Sequence, residues 1–178
     1  MPNVRIRTAN IDDLEDIKRL YLAAFDQSES EIVANVAVDL LNEKQTPDII
    51  NLVAVDDEQI IGHVSFSPIF LKTTGEHLGY ILAPLAVLPE HQKMKIGTSL
   101  VEHGVDLLAK QNSYLIFVYG DPGYYGRFGF ASELASAYQP PHTLQQPQGW
   151  LAKNDNAAVA VETSEITCVN ALNDPDLW

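Results

Sequence analysis

A mixed α/β domain built around one central sheet is the fold class this sequence predicts, on three observations. The apolar period switches several times between two and about 3.6 residues, which separates strands from helices along the chain. A strand–helix–strand run fills Leu78 to Tyr119, and such a βαβ unit demands a parallel strand pair with a right-handed crossover. The chain has 178 residues, 46% of them hydrophobic, enough to bury roughly two-thirds of its unfolded surface. One domain over 1–178 is expected, with a core at about 1–130 and C-terminal strands and a loop over 131–178.

Each element has a local reason. Val4 to Thr8 alternates apolar and polar residues as a short strand does. Asn10 offers an N-cap with Asp13 three residues on, and Ile11, Leu14, Ile17, Leu20, Ala24 and Phe25 follow at helical spacing. Ser28-Glu29-Ser30-Glu31 has the form of a capping box opening a second helix to about Leu41, and Pro47 closes that connection. Strands at Ile49–Val55 and Ile60–Phe70 flank the polar turn Asp56-Asp57-Glu58-Gln59 and read as a hairpin. Leu78–Leu88 is a further strand. A helix starts near Lys95 or Ile96 and runs to Lys110, Asn112 and Ser113 break it, and Tyr114–Tyr119 is a buried strand. Asp121-Pro122 opens a short helix that Gly129 ends. Gln139–Gly149 is a loop, and the tail carries strand candidates at Trp150–Lys153, Ala157–Val161 and Ile166–Val169.

Composition removes several functions. There are 24 acidic and 11 basic residues, a net charge of −13, which argues against binding nucleic acid or an anionic membrane because phosphate contacts need a cationic face. Cys168 stands alone, so neither an internal disulfide nor a multi-cysteine metal site is available. No apolar run approaches the ~18 residues of a membrane span, and the N-terminus lacks a signal-peptide core. A cytoplasmic, acidic, globular domain is the expectation. Dimerisation is compatible with the chain but is not written in it.

The segment from Leu85 to Thr98 carries the most chemistry. It leaves a strand, turns and enters a helix, and such a junction aims several backbone N–H groups at one spot with the helix dipole behind them. Lys93, Lys95 and His91 add positive charge in a chain that has little. An anion, above all a phosphate, suits that geometry; a plain βα loop with solvated lysines fits the spacing equally well. Neither G-x-G-x-x-G nor G-x-x-x-x-G-K-[ST] is present, which disfavours a dinucleotide fold or a P-loop.

Leu85-Ala86-Val87-Leu88-Pro89-Glu90, followed by Gln92-x-x-Lys95-x-Gly97, resembles the acyl-CoA-binding segment of the GNAT superfamily of N-acetyltransferases, whose pattern is Gln/Arg-x-x-Gly-x-Gly/Ala. Gly62-His63-Val64-Ser65-Phe66-Ser67-Pro68 and Gly120-Asp121-Pro122-x-Tyr124-Tyr125-x-Arg127-Phe128-Gly129-Phe130 resemble a bacterial subgroup of acetyltransferases. The resemblance implies a mixed sheet splayed between its fourth and fifth strands, with helices on both faces. It implies acetyl-CoA as acyl donor, no metal, and direct transfer of the acetyl group to a primary amine within a ternary complex. It also implies which residues act. The main chain of Ala86, Val87 and Leu88 would bind the pantetheine arm, with the Val87 N–H polarising the thioester. Gln92, Lys93, Met94, Lys95, Ile96, Gly97 and Thr98 would surround the diphosphate. Tyr125, four residues before the Gly-Phe pair, would be the general acid, ahead of Tyr124; successive helical residues differ by about 100°, so both cannot face one sulfur. Arg127 would partner a carboxylate or a cofactor phosphate.

Two departures matter. Lys95 stands where the family usually has its first glycine, so its side chain could reach a phosphate, project into solvent or hinder the approach. Ile81 stands where some members have a catalytic glutamate, leaving deprotonation of the amine to ordered water helped by His63 or Asp121. An acidic N-terminal third, with Asp26, Glu29 and Glu31 near the loop expected to border the acceptor, would favour a cationic amine. The alternative is an acyl-CoA-binding regulatory module that has lost transfer activity.

Overall fold

The computed structural model describes residues 3–156 and 162–178, so the strand candidate at Ala157–Val161 lies outside the described residues. The N-terminal turn forms as its sequence predicts. Strand β1 (Arg5–Thr8) leads to Asn10, whose side chain accepts from the Asp12 N–H while the Asp13 carboxylate accepts from the Asn10 N–H, each at 2.8 Å. This reciprocal cap seeds a 3₁₀ turn, Ile11–Asp13, that runs into helix α1 (Leu14–Ala24). Helix α2 (Ser30–Asn42) starts with Glu29 as its N-cap and no side-chain cap bond, unlike the capping box expected from Ser28. The Asp26 carbonyl accepts from both the Glu29 and Ser30 amides at 2.9 Å, so a backbone turn opens the helix and Ser30 is buried.

Strands β2 (Ile50–Asp56) and β3 (Gln59–Leu71) form the expected hairpin. Its two turn residues, Asp57 and Glu58, have φ of 43° and 69°, as a two-residue turn matched to strand twist requires. Then follow β4 (His77–Val87), α3 (Ile96–Lys110), β5 (Leu115–Tyr119), α4 (Pro122–Tyr125), α5 (Ser132–Ala135), β6 (Tyr138–Gln139), β7 (Trp150–Asn154) and β8 (Ser164–Thr167). The hydrogen-bonded order is β1-β2-β3-β4-β5-β7. β1–β2, β2–β3 and β5–β7 are antiparallel, and β4–β5 is the parallel pair demanded by the βαβ unit.

The chain divides into two compact units, each discontinuous in sequence. The first comprises Met1–Lys44, Ile49–Phe66 and Pro84–Leu107. Its core gathers Ile17, Leu20 and Tyr21 of α1, Ala34, Ala37 and Leu40 of α2, and the inner residues of β2 and β3. Alternation along β3 sends Gly62 and Phe66 to one face, against Ile96, Leu100 and Gly104 of α3, and His63 and Ser65 to the other. A Cβ on Gly62 would lie 2.9 Å from Leu100 Cδ1 and 3.1 Å from Ile96 Cγ2, so a bare backbone there lets the start of α3 sit down on the strand.

The second unit comprises Gln45–Asp48, Ser67–Ala83 and Leu108–Trp178. Tyr80, Ile81 and Leu82 of β4 pair with Ile116, Phe117 and Val118 of β5, and β7 lies along the other edge of β5. Its core is aromatic: Phe117 stacks on Trp150 at 5.0 Å and meets Tyr138 edge-on at 5.1 Å, and Trp178 stacks on Tyr119. β8 begins two residues before the strand read from the sequence, because it pairs with Phe70 and Leu71 of β3 and with β6, long-range partners that local pattern does not encode. Among the described residues no helix is long and apolar enough to cross a membrane.

Candidate active site

The junction from β4 to α3 lies wholly within the first unit. The Leu88 N–H donates to the Ile61 carbonyl at 2.9 Å. Neighbouring strand residues address opposite edges, so the N–H and C=O of Val87 turn away from β3. Pro89–His91 makes one 3₁₀ turn, and Gln92 leaves it extended. Gln92 then reaches back, donating from Nε2 to the Val87 carbonyl at 3.2 Å.

Lys93 and Lys95 both adopt the left-handed conformation, with φ of 63° and 64°. A residue with a Cβ pays about 1–2 kcal/mol there. Lys95 thus holds a backbone geometry that a glycine would adopt without strain. Lys93, Met94 and Lys95 are exposed, while Ile96 is buried against Gly62. The helical ladder begins with the Ser99 N–H on the Lys95 carbonyl at 2.9 Å. By helix geometry the amides of Ile96, Gly97 and Thr98 precede it and have no acceptor within the helix, with the positive end of the dipole behind them.

Tyr124 and Tyr125 belong to the second unit. Asp121 caps α4 as predicted: its side chain accepts from the Gly123 N–H at 2.9 Å, and its carbonyl accepts from the Tyr124 and Tyr125 amides at 3.1 and 3.0 Å. Gly129, at φ 89°, ends the segment. The Tyr125 ring lies on the end of β5, where a Cβ on Gly120 would come within 2.6 Å of its Cε2, and it meets Phe130 edge-on. Burial pushes its phenol well above the ordinary range, with Tyr124 adding to the rise. Tyr124 projects differently and lies under the Arg127 guanidinium, 4.1 Å from ring centroid to carbon, so Arg127 stacks on a ring where a carboxylate partner was one of the expectations.

His63 is fully buried on the α1 side of β3. Its Nδ1 lies 2.8 Å from the Tyr21 hydroxyl, and its Nε2 has no hydrogen-bond partner among the described residues. Burial pushes its pKa down to about 3, opposed by the nearby Asp13 carboxylate, so the ring is neutral at neutral pH. Asp13 itself is bound bidentately by Arg7 at 2.7 and 2.8 Å, which holds its carboxyl below the usual range. Ile81 is buried and apolar. Among the described residues no cluster of three or more His, Cys, Asp or Glu could hold a metal.

Ala86, Val87, Leu88 and Gln92 to Thr98 therefore form one continuous strand end, turn and helix start, whereas His63 lies on the opposite face of β3 from α3. Two contributors went unassigned in the sequence: Tyr21 as partner of His63 and Gly120 as the floor under Tyr125. Tyr21 is 42 residues from His63 and gave no signal; the glycine at a strand end beside an aromatic pair could have been noticed.

Residues 5–132 match the family model described as an acetyltransferase (GNAT) domain. The chain is 30% identical over 169 residues to an N-acetyltransferase of Escherichia coli K12, YjhQ, itself described as uncharacterized, spanning 92% of this chain and 89% of that one. The crystal structure of the Escherichia coli GNAT-family protein YhbS in complex with CoA superimposes with a TM-score of 0.84 at 27% identity, covering 98% of this chain and 94% of that one. A Brucella melitensis GNAT acetyltransferase in complex with acetyl-CoA gives 0.70 at 25% identity, covering 97% and 99%. With a domain match across most of its length, and with its strand-to-helix junction built as described, the chain belongs to the GNAT family of acetyltransferases.

Proposed function

We propose that the protein transfers the acetyl group of acetyl-CoA to a primary amine, directly, with both substrates bound. The observation that carries this reading is the junction itself: a strand end whose Val87 N–H turns away from β3, two left-handed lysines and the first-turn amides of α3, which helix geometry leaves without an acceptor in the helix, follow one another in twelve residues, Val87 to Thr98. CoA and acetyl-CoA in the similar Escherichia coli and Brucella proteins support it.

In this reading the diphosphate lies on the amides from Lys93 to Thr98, where hydrogen bonds to a charged acceptor are the strong kind. Lys93 and Lys95 add their ammonium groups. The pantetheine arm runs along Ala86 to Leu88 as an added strand. The Val87 N–H, directed away from β3, donates to the thioester oxygen and stabilises the negative charge that grows there. The amine nitrogen attacks the carbonyl carbon, the C–N bond forms and the C–S bond breaks. The ammonium first gives one proton to water; the second proton nitrogen loses as the amide forms balances the one gained by sulfur, giving an amide and free CoA. Tyr125, protonated at neutral pH like any phenol, donates its O–H to the departing sulfur.

No proton is assigned to His63. An imidazole with a pKa near 3 is a poor base for an ammonium, and its part in the proposal is to hold Tyr21 and α1 against β3. Water serves as the base, in a setting made acidic by Asp26, Glu29 and Glu31, all exposed before and at the start of α2; those carboxylates favour a cationic acceptor. The apolar Ile81 favours one other reading, a module that binds acyl-CoA without transfer. A panel of amines incubated with acetyl-CoA separates the two. Faster release of free thiol with at least one amine, slowed by Tyr125→Phe, is the expected result; tight binding with no amine-dependent release leaves only the silent module.

A further inference from the structure

The Val87–Leu88 peptide is pinned on both sides. Its N–H goes to the Ile61 carbonyl of β3 at 2.9 Å, and its C=O takes the Gln92 Nε2 at 3.2 Å. Only the amide nitrogen of Gln92 can donate to a carbonyl, so the chemistry fixes which way that side chain is turned. The contact spans the 3₁₀ turn and ties the strand end to the first residue of the loop that carries the left-handed lysines.

We infer that the Gln92 side chain is a positioning residue that sets the spacing between the thioester-binding amide of Val87 and the diphosphate-binding amides beyond Lys93. The inference rests on the coenzyme A reading above. A ligand that grips both ends gains from having them held at a fixed separation before it arrives, because less ordering remains to be done on binding. Without the tie, the Val87 carbonyl swings free of the loop and each end binds without the help of the other. The strand end supplies the acceptor, and a long side chain with an N–H supplies the donor; both length and donor are needed.

Calorimetric titration of acetyl-CoA into the full chain and three variants tests this. Gln92→Met keeps the length and removes the donor. Gln92→Asn keeps the donor but is one methylene short. Gln92→Arg keeps both reach and donors, and salt near 0.5 M screens its added charge. The expected result is a Kd about fivefold weaker for the Met and Asn variants and within twofold of the unchanged protein for Arg, as one exposed hydrogen bond allows. A merely structural loss would not be rescued by Arg. Met binding as tightly as the unchanged protein, or Arg falling as far as Met, overturns the inference. An unchanged protein that gives no heat with acetyl-CoA takes down the coenzyme A reading, and Gln92's part with it.

Discussion

Replacing Lys95 by glycine should stabilise the protein. Lys95 holds φ at 64°, and a side chain in the left-handed region costs about 1–2 kcal/mol. Glycine escapes that cost but brings a looser unfolded chain, worth roughly 0.5–1 kcal/mol against it. The difference is about 0.5–1 kcal/mol in favour of the variant. For a chain of this length about 1 kcal/mol moves Tm by roughly 2–4 °C, so Lys95→Gly should melt about 2 °C higher. Lys95→Ala is the control: it retains a Cβ in the same conformation and removes the ammonium, so its Tm should stay within about 1 °C, the range of an exposed substitution. Both variants lose the same charge, and both should bind acetyl-CoA more weakly by the same factor, more so at low salt. Differential scanning calorimetry reads the first effect and titration the second. Equal melting of the Gly and Ala variants would refute the strain argument, and a Gly variant that melts lower would reverse it.

Other perturbations act on separate parts of the structure. Tyr125→Phe should lower the rate of amine-dependent CoA release by about 100-fold, the lower end for loss of a general acid, with the Kd for acetyl-CoA nearly unchanged. Because burial raises the Tyr125 pKa, unfolded tyrosine ionises first as pH climbs above about 10; stability falls there, and Tyr125→Phe should flatten that alkaline loss in urea titrations. His63 has the opposite sign. Its folded pKa is depressed from 6.5 to about 3, so the unfolded chain takes up the proton first and stability drains as pH falls below about 6.5, by at most ~1.4 kcal/mol per unit. Urea midpoints for His63→Gln should lose that slope between pH 6 and about 5, above the range in which the lowered Asp13 carboxyl contributes. Gly104→Ala should cost about 1–3 kcal/mol by overpacking, since its Cβ would overlap the Phe66 ring; thermal melting reads it.

What the sequence made legible was local chemistry. The Asn10–Asp13 cap, the Asp121-Pro122 helix start and the Gly129 stop are each settled within a few residues, and all three form. The parallel β4–β5 pair followed from a single rule about crossovers. The backbone at Lys93 and Lys95 was not legible, since lysine gives no hint of a positive φ; the surrounding structure imposes it. The pairing of β8 with Phe70 and Leu71 joins segments nearly a hundred residues apart, and only the assembled sheet edge selects it. Ser28 was misread as a cap for a related reason: the backbone turn on the Asp26 carbonyl and the burial of Ser30 outweigh the propensity of Ser28 to cap. At the site, the order of strand end, turn and helix start was readable, whereas the burial that makes His63 a neutral partner of Tyr21 depended on α1 closing over β3.

Backbone amide resonances, followed by NMR while acetyl-CoA is titrated into the full chain, test the central claim most directly. Saturable shifts at Val87 and at Lys93 to Thr98, larger than those elsewhere in the first unit, are what a main-chain grip on the thioester and diphosphate predicts. Those amides standing still, while acetyl-CoA either binds elsewhere or does not bind, would contradict it.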